Sequence, residues 1–171
     1  MVNLPEIPGA ARIVSVEHIK EGGRADVTLY VPEINIHSDV EISSSFAMIT
    51  FADFNNHFSN FGFSNGQFIE FTIEHSGESI TRKYAIQAIK ALEDLESGRK
   101  YEVMCVSPLR YVSNYAKVSK SFFATPSDIA AEIYANHTDE PIFHWEPSIT
   151  PQQIVIPSWD PIKTIKWLGR R

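Results

Sequence analysis

Six histidines, a single cysteine and a scatter of carboxylates are the side chains that could do chemistry here, and their spacing decides what is open to them. His18, His37, His57, His75, His137 and His144 never stand at a helical i, i+4 step, and Cys105 has no second thiol to complete a CxxC pair. HExxH and Asp-rich calcium loops are absent, so a metal centre is not expected. Gly22-Gly23 lacks the surrounding glycines and lysine of a phosphate cradle, and no serine sits in a GxSxG elbow. Asp53 with Glu70, or Asp26 with Glu33, could be combined as a general acid and base. Carboxylates on alternating strands are more often the solvated face of a barrel. Cys105 lies in the strand-like run Tyr101–Val106, where a thiol is buried and inert. No catalytic, cofactor-binding or metal-binding residue is assigned, and the expectation is a protein that is not an enzyme and needs no cofactor.

The least ordinary stretch runs from Phe51 to Phe63, where phenylalanines alternate with Asn55, Asn56, His57 and Asn60. Interleaved aromatics could stack nucleobases, but no Lys or Arg occurs between Arg24 and Arg82 to hold a phosphate backbone. Two readings stay open: a loop whose phenylalanines plug one end of a barrel, and an exposed aromatic contact with another protein.

These residues need elements to carry them. Residues 12–19 and 26–31 flank Glu21-Gly22-Gly23-Arg24, and Val27, Leu29 and Val31 alternate with polar neighbours, which predicts a hairpin. Phe46–Phe51 reads as an apolar strand. In Phe68–Glu74, Ile69, Phe71 and Ile73 share one face against Glu70, Thr72 and Glu74, and Ser76-Gly77-Glu78-Ser79 turns the chain back. Arg82–Leu95 is rich in helix formers at near-helical spacing, yet it lies between a hairpin turn and the strand-like Tyr101–Val106. We read it as a strand against its local propensity.

Ser107-Pro108, Thr125-Pro126 and Asp160-Pro161 each set a side-chain oxygen just before a proline. The oxygen can accept from the free N–H groups of a helix start, and proline at the first helical position loses no bond. Helices are therefore predicted over 108–114, 126–135 and 161–168. Pro141–Pro157, with prolines at 141, 147, 151 and 157, reads as an extended connector. Strands first and short helices after give an α+β fold, mostly β.

The 171 residues allow one sizeable core, or one domain and part of another. Hydrophobic content of 43% against 21% charged residues fits a folded chain without a disorder signature. A net charge of −6 argues against a dedicated nucleic-acid binder, although Lys163, Lys166, Arg170 and Arg171 gather at the end, where cations suit a helix C-terminus. The start of the chain lacks a secretory pattern, and no run approaches the roughly 18 apolar residues of a membrane span. A reducing, soluble compartment is expected.

Three pieces stand in a shared order: the hairpin running into Cys105-Val106-Ser107-Pro108, then Val118-Ser119-Lys120-Ser121-Phe122, then Trp159-x-Pro161-x-x-x-Ile165-x-Trp167-Leu168. In this order they resemble the first half of phage tail baseplate hub proteins. The resemblance implies a tail-tube-like β-barrel or sandwich over residues 1–124, with an extended hairpin through Arg82–Val106. It implies the start of a helical or mixed second domain over 125–171. It also implies a structural role: a trimeric, pseudo-sixfold ring joining the tail tube to the central spike, in the virion tail, assembled in the bacterial cytoplasm. Expected partners are further copies of the chain, the tail-tube protein and the spike, with DNA passing through unbound. A complete hub runs well past Trp167-Leu168, so the expectation is either a shortened form of a longer hub or a split one. A tail-tube or tail-completion subunit, or an isolated β-barrel binding module, is the alternative, and a simple tube subunit has no need of the Val118–Leu168 segment.

Overall fold

The computed structural model describes residues 11–39, 44–54, 56, 60, 62–95, 97–139 and 146–170. The chain divides into two compact units, Met1–His37 with Phe46–Val106, and Ser38–Ser45 with Ser107–Arg171. The shift near Thr125 that marks a domain boundary in the sequence falls inside the second unit.

Seven strands form one antiparallel sheet: β1 (Arg12–Lys20), β2 (Gly23–Asp26), β3 (Glu33–Asp39), β4 (Ser44–Asp53), β5 (Phe68–His75), β6 (Glu78–Leu95) and β7 (Gly98–Val106), in the order β2-β1-β5-β6-β7-β4-β3. β6 organises it. Its first half, Glu78–Ala85, pairs with β5, and its second half, Ala85–Leu95, pairs with β7. The pairing partner changes at Ala85, and a bulge at Gln87 interrupts the register with β7 just beyond it. Two half-sheets thus share one strand and close on one core. Val16, Ile69, Phe71 and Tyr84 come from the first half-sheet, and Ala47, Ile49, Phe51, Ile86, Val103 and Cys105 from the second. Phe71 and Tyr84 stack with ring centroids 5.5 Å apart.

Arg82–Leu95 is a strand, as read. Ser76 and Gly77 take left-handed φ values of 53° and 82°, the conformation a tight hairpin turn requires, so β6 already begins at Glu78. The first hairpin is shorter than expected. After Asp26 the chain leaves the sheet for a single 3-10 turn, Thr28–Tyr30, because the Asp26 carboxylate accepts from the Thr28 amide (2.9 Å) and hydroxyl (2.6 Å). Val27 and Val31 still reach the core, but Leu29 is 94% exposed.

The second unit holds α1 (Pro108–Ser113), β8 (Val118–Ala124), α2 (Pro126–His137), β9 (Gln152–Trp159) and α3 (Pro161–Leu168). β8 and β9 form an antiparallel ribbon whose inner face, Val118, Phe122, Ile154 and Ile156, packs with Ile129, Ala130 and Ile133 of α2 and Leu168 of α3. β9 corrects the expectation of a connector up to Pro157. Pro157 and Ser158 sit in a bulge opposite β8, Ser158 at φ 53°, so the missing proline N–H interrupts no regular ladder. Residues 141–145 of that predicted connector lie outside the described residues.

All three prolines open helices. Thr125 Oγ1 accepts from the Asp128 amide at 3.2 Å and Asp160 Oδ1 from the Lys163 amide at 2.8 Å. Ser107 makes no such side-chain bond, which corrects its predicted capping role; α1 relies on Pro108 alone. Two serine exchanges fix the loops of this unit. Ser127 and Ser148 each accept from the other's amide, and Ser113 Oγ accepts from the Ile162 amide.

Candidate assembly surface

The side chains that could have done chemistry lie apart. Glu70 joins Glu17 around the Arg24 guanidinium on the outer face of β2-β1-β5, at 2.7 and 2.8 Å. Asp53 points the other way and is buried at 4% exposure. Asp26 is committed to its own turn, where the Thr28 hydroxyl and amide hold its carboxyl below the ordinary range. Glu33 accepts from Asn35. Neither imagined acid–base pair forms.

The histidines are equally dispersed. His18 is in the core, His37 stacks on Phe46 (4.5 Å), and His137 Nδ1 lies 2.7 Å from the Ile133 carbonyl at the end of α2. His75 ends β5; His57 and His144 lie outside the described residues. Among the described residues no three His, Cys, Asp or Glu come together as metal ligands. Cys105 is fully buried, and desolvation pushes its thiol up to about 12. A cleft of about 430 Å³ opens between Phe54, Asn56 and the β6–β7 hairpin residues Asp94, Arg99 and Tyr101. Arg99 is already paired with Asp94, and the cleft holds no nucleophile with a base beside it.

The aromatic stretch splits between its two readings. Phe51 is in the core and Phe63 packs edge-on against it at 5.4 Å, whereas Phe54 is half-exposed. Phe58, Phe61 and Asn55 lie outside the described residues.

What the surface does offer is apolar area. On the outer face of the β8–β9 ribbon Phe123 is 81% exposed and Val155 66%. Phe123 pairs with Gln153 and Ser121 with Val155, so the two apolar side chains are diagonal neighbours on one face. The ribbon thus has an inner face buried under helices and an outer face that exposes Phe123 and Val155. The sequence signal was plain alternation: Val118 and Phe122 in, Phe123 out, Ile154 and Ile156 in, Val155 out. The basic end of the chain is partly engaged, since Lys163 lies over the Trp159 ring at 4.6 Å. Arg171 lies outside the described residues. No helix among the described residues is long and apolar enough to cross a membrane.

The two-unit architecture recurs in solved structures. The tail protein from Neisseria meningitidis MC58 superposes with a TM-score of 0.54 at 11% identity, over 91% of this chain and 44% of that one. The E. coli c3393 protein superposes with a TM-score of 0.53 at 11% identity, over 95% of this chain and 40% of its own. It is a component of the type VI secretion system and is described as structurally similar to the T4 bacteriophage tail proteins gp27 and gp5. The chain shares the fold of the Neisseria and E. coli proteins. The chain spans less than half the length of either of these proteins. No family model and no curated protein sequence matches it. The likeness covers both the β unit and the ribbon-and-helix unit that follows it.

Proposed function

We propose that the chain is a structural, non-catalytic hub component of a phage tail or a related contractile apparatus. In this reading three copies form a ring on the tail axis that joins the tail tube to the central spike. One observation carries the proposal: a tube-like β unit is followed by a second unit with its own core and a ribbon whose outer face is apolar. A simple tube subunit has no use for that second unit. The net charge of −6 suits a conduit, because like charge opposes sticking of the DNA that slides through it. The chain binds no metal or cofactor for this role, and its partners are its own copies, the tube protein and the spike.

The sheet edges bear on assembly. The edge strands are β2 and β3; β2 is only four residues long, and β3 carries Glu33. Short and charged edges resist casual pairing. The chain alone therefore sediments at micromolar concentration as a monomer or a mixture of small oligomers, and assembles as a trimer with its partners. Cryo-microscopy of tails carrying the chain should find three copies around the axis. A discrete, stable hexamer in solution, or six equivalent copies in the tail, would overturn this reading in favour of a tube subunit. Changing Phe123 and Val155 together to serine should leave stability within about 0.5 kcal/mol, as at other surface positions, while lowering incorporation into tails. Unchanged incorporation would remove the ribbon face from the assembly.

A further inference from the structure

His18 is the one fully buried histidine among the described residues, 1% exposed on the core face of β1 between Ala25 of β2 and Ile69 of β5. Its ring lies flat on Phe63, centroids 3.9 Å apart and planes within 10°. Its Nε2 is 2.7 Å from Gln67 Oε1. The amide of Gln67 can be oriented in only one way. Its Nε2 donates to the Gly62 carbonyl (3.1 Å) and its Oε1 accepts from the Ser64 amide (2.9 Å). Oε1 is therefore an acceptor, and this network assigns the ring proton to His18 Nε2. Nδ1 is left with a bare lone pair, buried and without a hydrogen-bond partner among the described residues.

One side chain thus ties the loop 62–67 to β1, and the same loop continues the β5–β6 ladder through Gly66 N–H to the Ile86 carbonyl and Ile86 N–H to the Gln67 carbonyl. A further proton can enter His18 only at Nδ1, where no acceptor stands among the described residues. The surrounding charges offer no relief. Lys20 on β1 opposes a second positive charge. Glu17 of β1, Arg24 of β2 and Glu70 of β5 are bound to one another on the outer face. Asp53 of β4 and the Tyr84 hydroxyl of β6 are the other polar titratable groups buried in this unit, and neither bonds to Nδ1.

We propose that His18 makes the loop 62–67 an acid-released latch. The neutral ring is accepted beneath Phe63 with its Nε2–H on Gln67. A proton added at the buried Nδ1, which has no acceptor among the described residues, is solvated only when Phe63 and the loop lift off. That gain outweighs the stronger Nε2–H bond of the charged ring. The titration has the required direction. Burial holds the ring below its ordinary range; the Gln67 bond works against this and Lys20 with it. The unfolded chain takes up the proton below about pH 6.5, so the latch contributes its full stability above that value. That contribution is lost as pH falls from there toward the lower folded-state value.

Amide hydrogen exchange on the full chain, corrected for intrinsic rates, tests this at about pH 7.5 and about pH 5, on either side of an ordinary histidine. Protection of the Ser64 and Gly66 amides should fall more than that of Ile69 and Phe71 in β5, because only the loop is coupled to the proton on His18. In His18→Phe, which keeps a flat ring on Phe63 but cannot be protonated, the loop should respond equally at both pH values. A wild-type loop that keeps its protection at the lower pH, or a His18→Phe loop that loses it to the same extent, would overturn the latch. A second readout needs no variant. The His18 ring signals in NMR should titrate together with the loop amides, and a ring that titrates while the loop stays in place would equally sink the proposal.

Discussion

Trp159 at the end of β9 and Trp167 on α3 meet edge to face, ring centroids 5.4 Å apart and planes at 83°. The spacing of the two tryptophans in the sequence is thereby explained. Asp160 and Pro161 turn the strand into a helix, and two helical turns later Trp167 comes back over the strand it left. An edge-to-face aromatic pair contributes about 0.5–1.5 kcal/mol beyond its buried area. A double-mutant cycle with Trp159→Leu and Trp167→Leu, read by chemical unfolding, should return a coupling of about 1 kcal/mol. Additive losses would show that the rings are merely close.

The three proline-led helices should answer differently to alanine. Asp160→Ala and Thr125→Ala each remove an observed bond to a helix-end amide and should cost about 1 kcal/mol in thermal unfolding. Ser107→Ala removes no such bond and should be close to neutral. Equal losses at all three positions would contradict the assignment of caps.

Two glycines make a matched test of space. A Cβ on Gly98 would stand 2.3 Å from the Asp53 carbonyl oxygen, a backbone atom that cannot step aside. Gly98→Ala should therefore destabilise by about 2–3 kcal/mol, the range of an overpacked site. Gly23 has nothing within 4 Å and no left-handed φ, so Gly23→Ala should be neutral or stabilise by a few tenths of a kcal/mol. Denaturant midpoints of both variants decide it.

Cys105 should behave as a core side chain. An unfolded thiol ionises from about pH 8.5, whereas burial keeps the folded one protonated up to about 12. Stability from this group is therefore intact at neutral pH and declines as pH rises through that window. Thiol reagents at neutral pH should label Cys105 only at the rate of unfolding. Rapid labelling of the native chain would place the thiol at the surface.

Where alternation was regular, the sequence read true: Ile69 and Phe71 are in the core, and Glu70 is in the outer ion pair. Arg82–Leu95 looked helical for a physical reason. Bulges at Gln87 and Leu92 each shift the inward–outward phase by one residue, so the apolar positions lose their period of two while the strand persists. Residues 152–159 were misread because Pro151 and Pro157 masked the alternation of Ile154 and Ile156. Only the register with β8 shows that Pro157 sits in a bulge. The latch at His18 was invisible, because nothing local connects a strand histidine to a glutamine 49 residues away.

The shared strand β6 has a consequence for synthesis. β5, β6 and β7 follow one another directly and can pair as soon as they emerge, but Arg12 of β1 pairs with Glu74 and Phe46 of β4 with Val106. Each such pairing closes a loop of about 60 residues, and that entropy is lost before any contact rewards it. At about 5–20 residues per second, β1 spends roughly 3–12 s outside the ribosome before its partner exists. The apolar face of β1 is most exposed to a wrong neighbour in that interval.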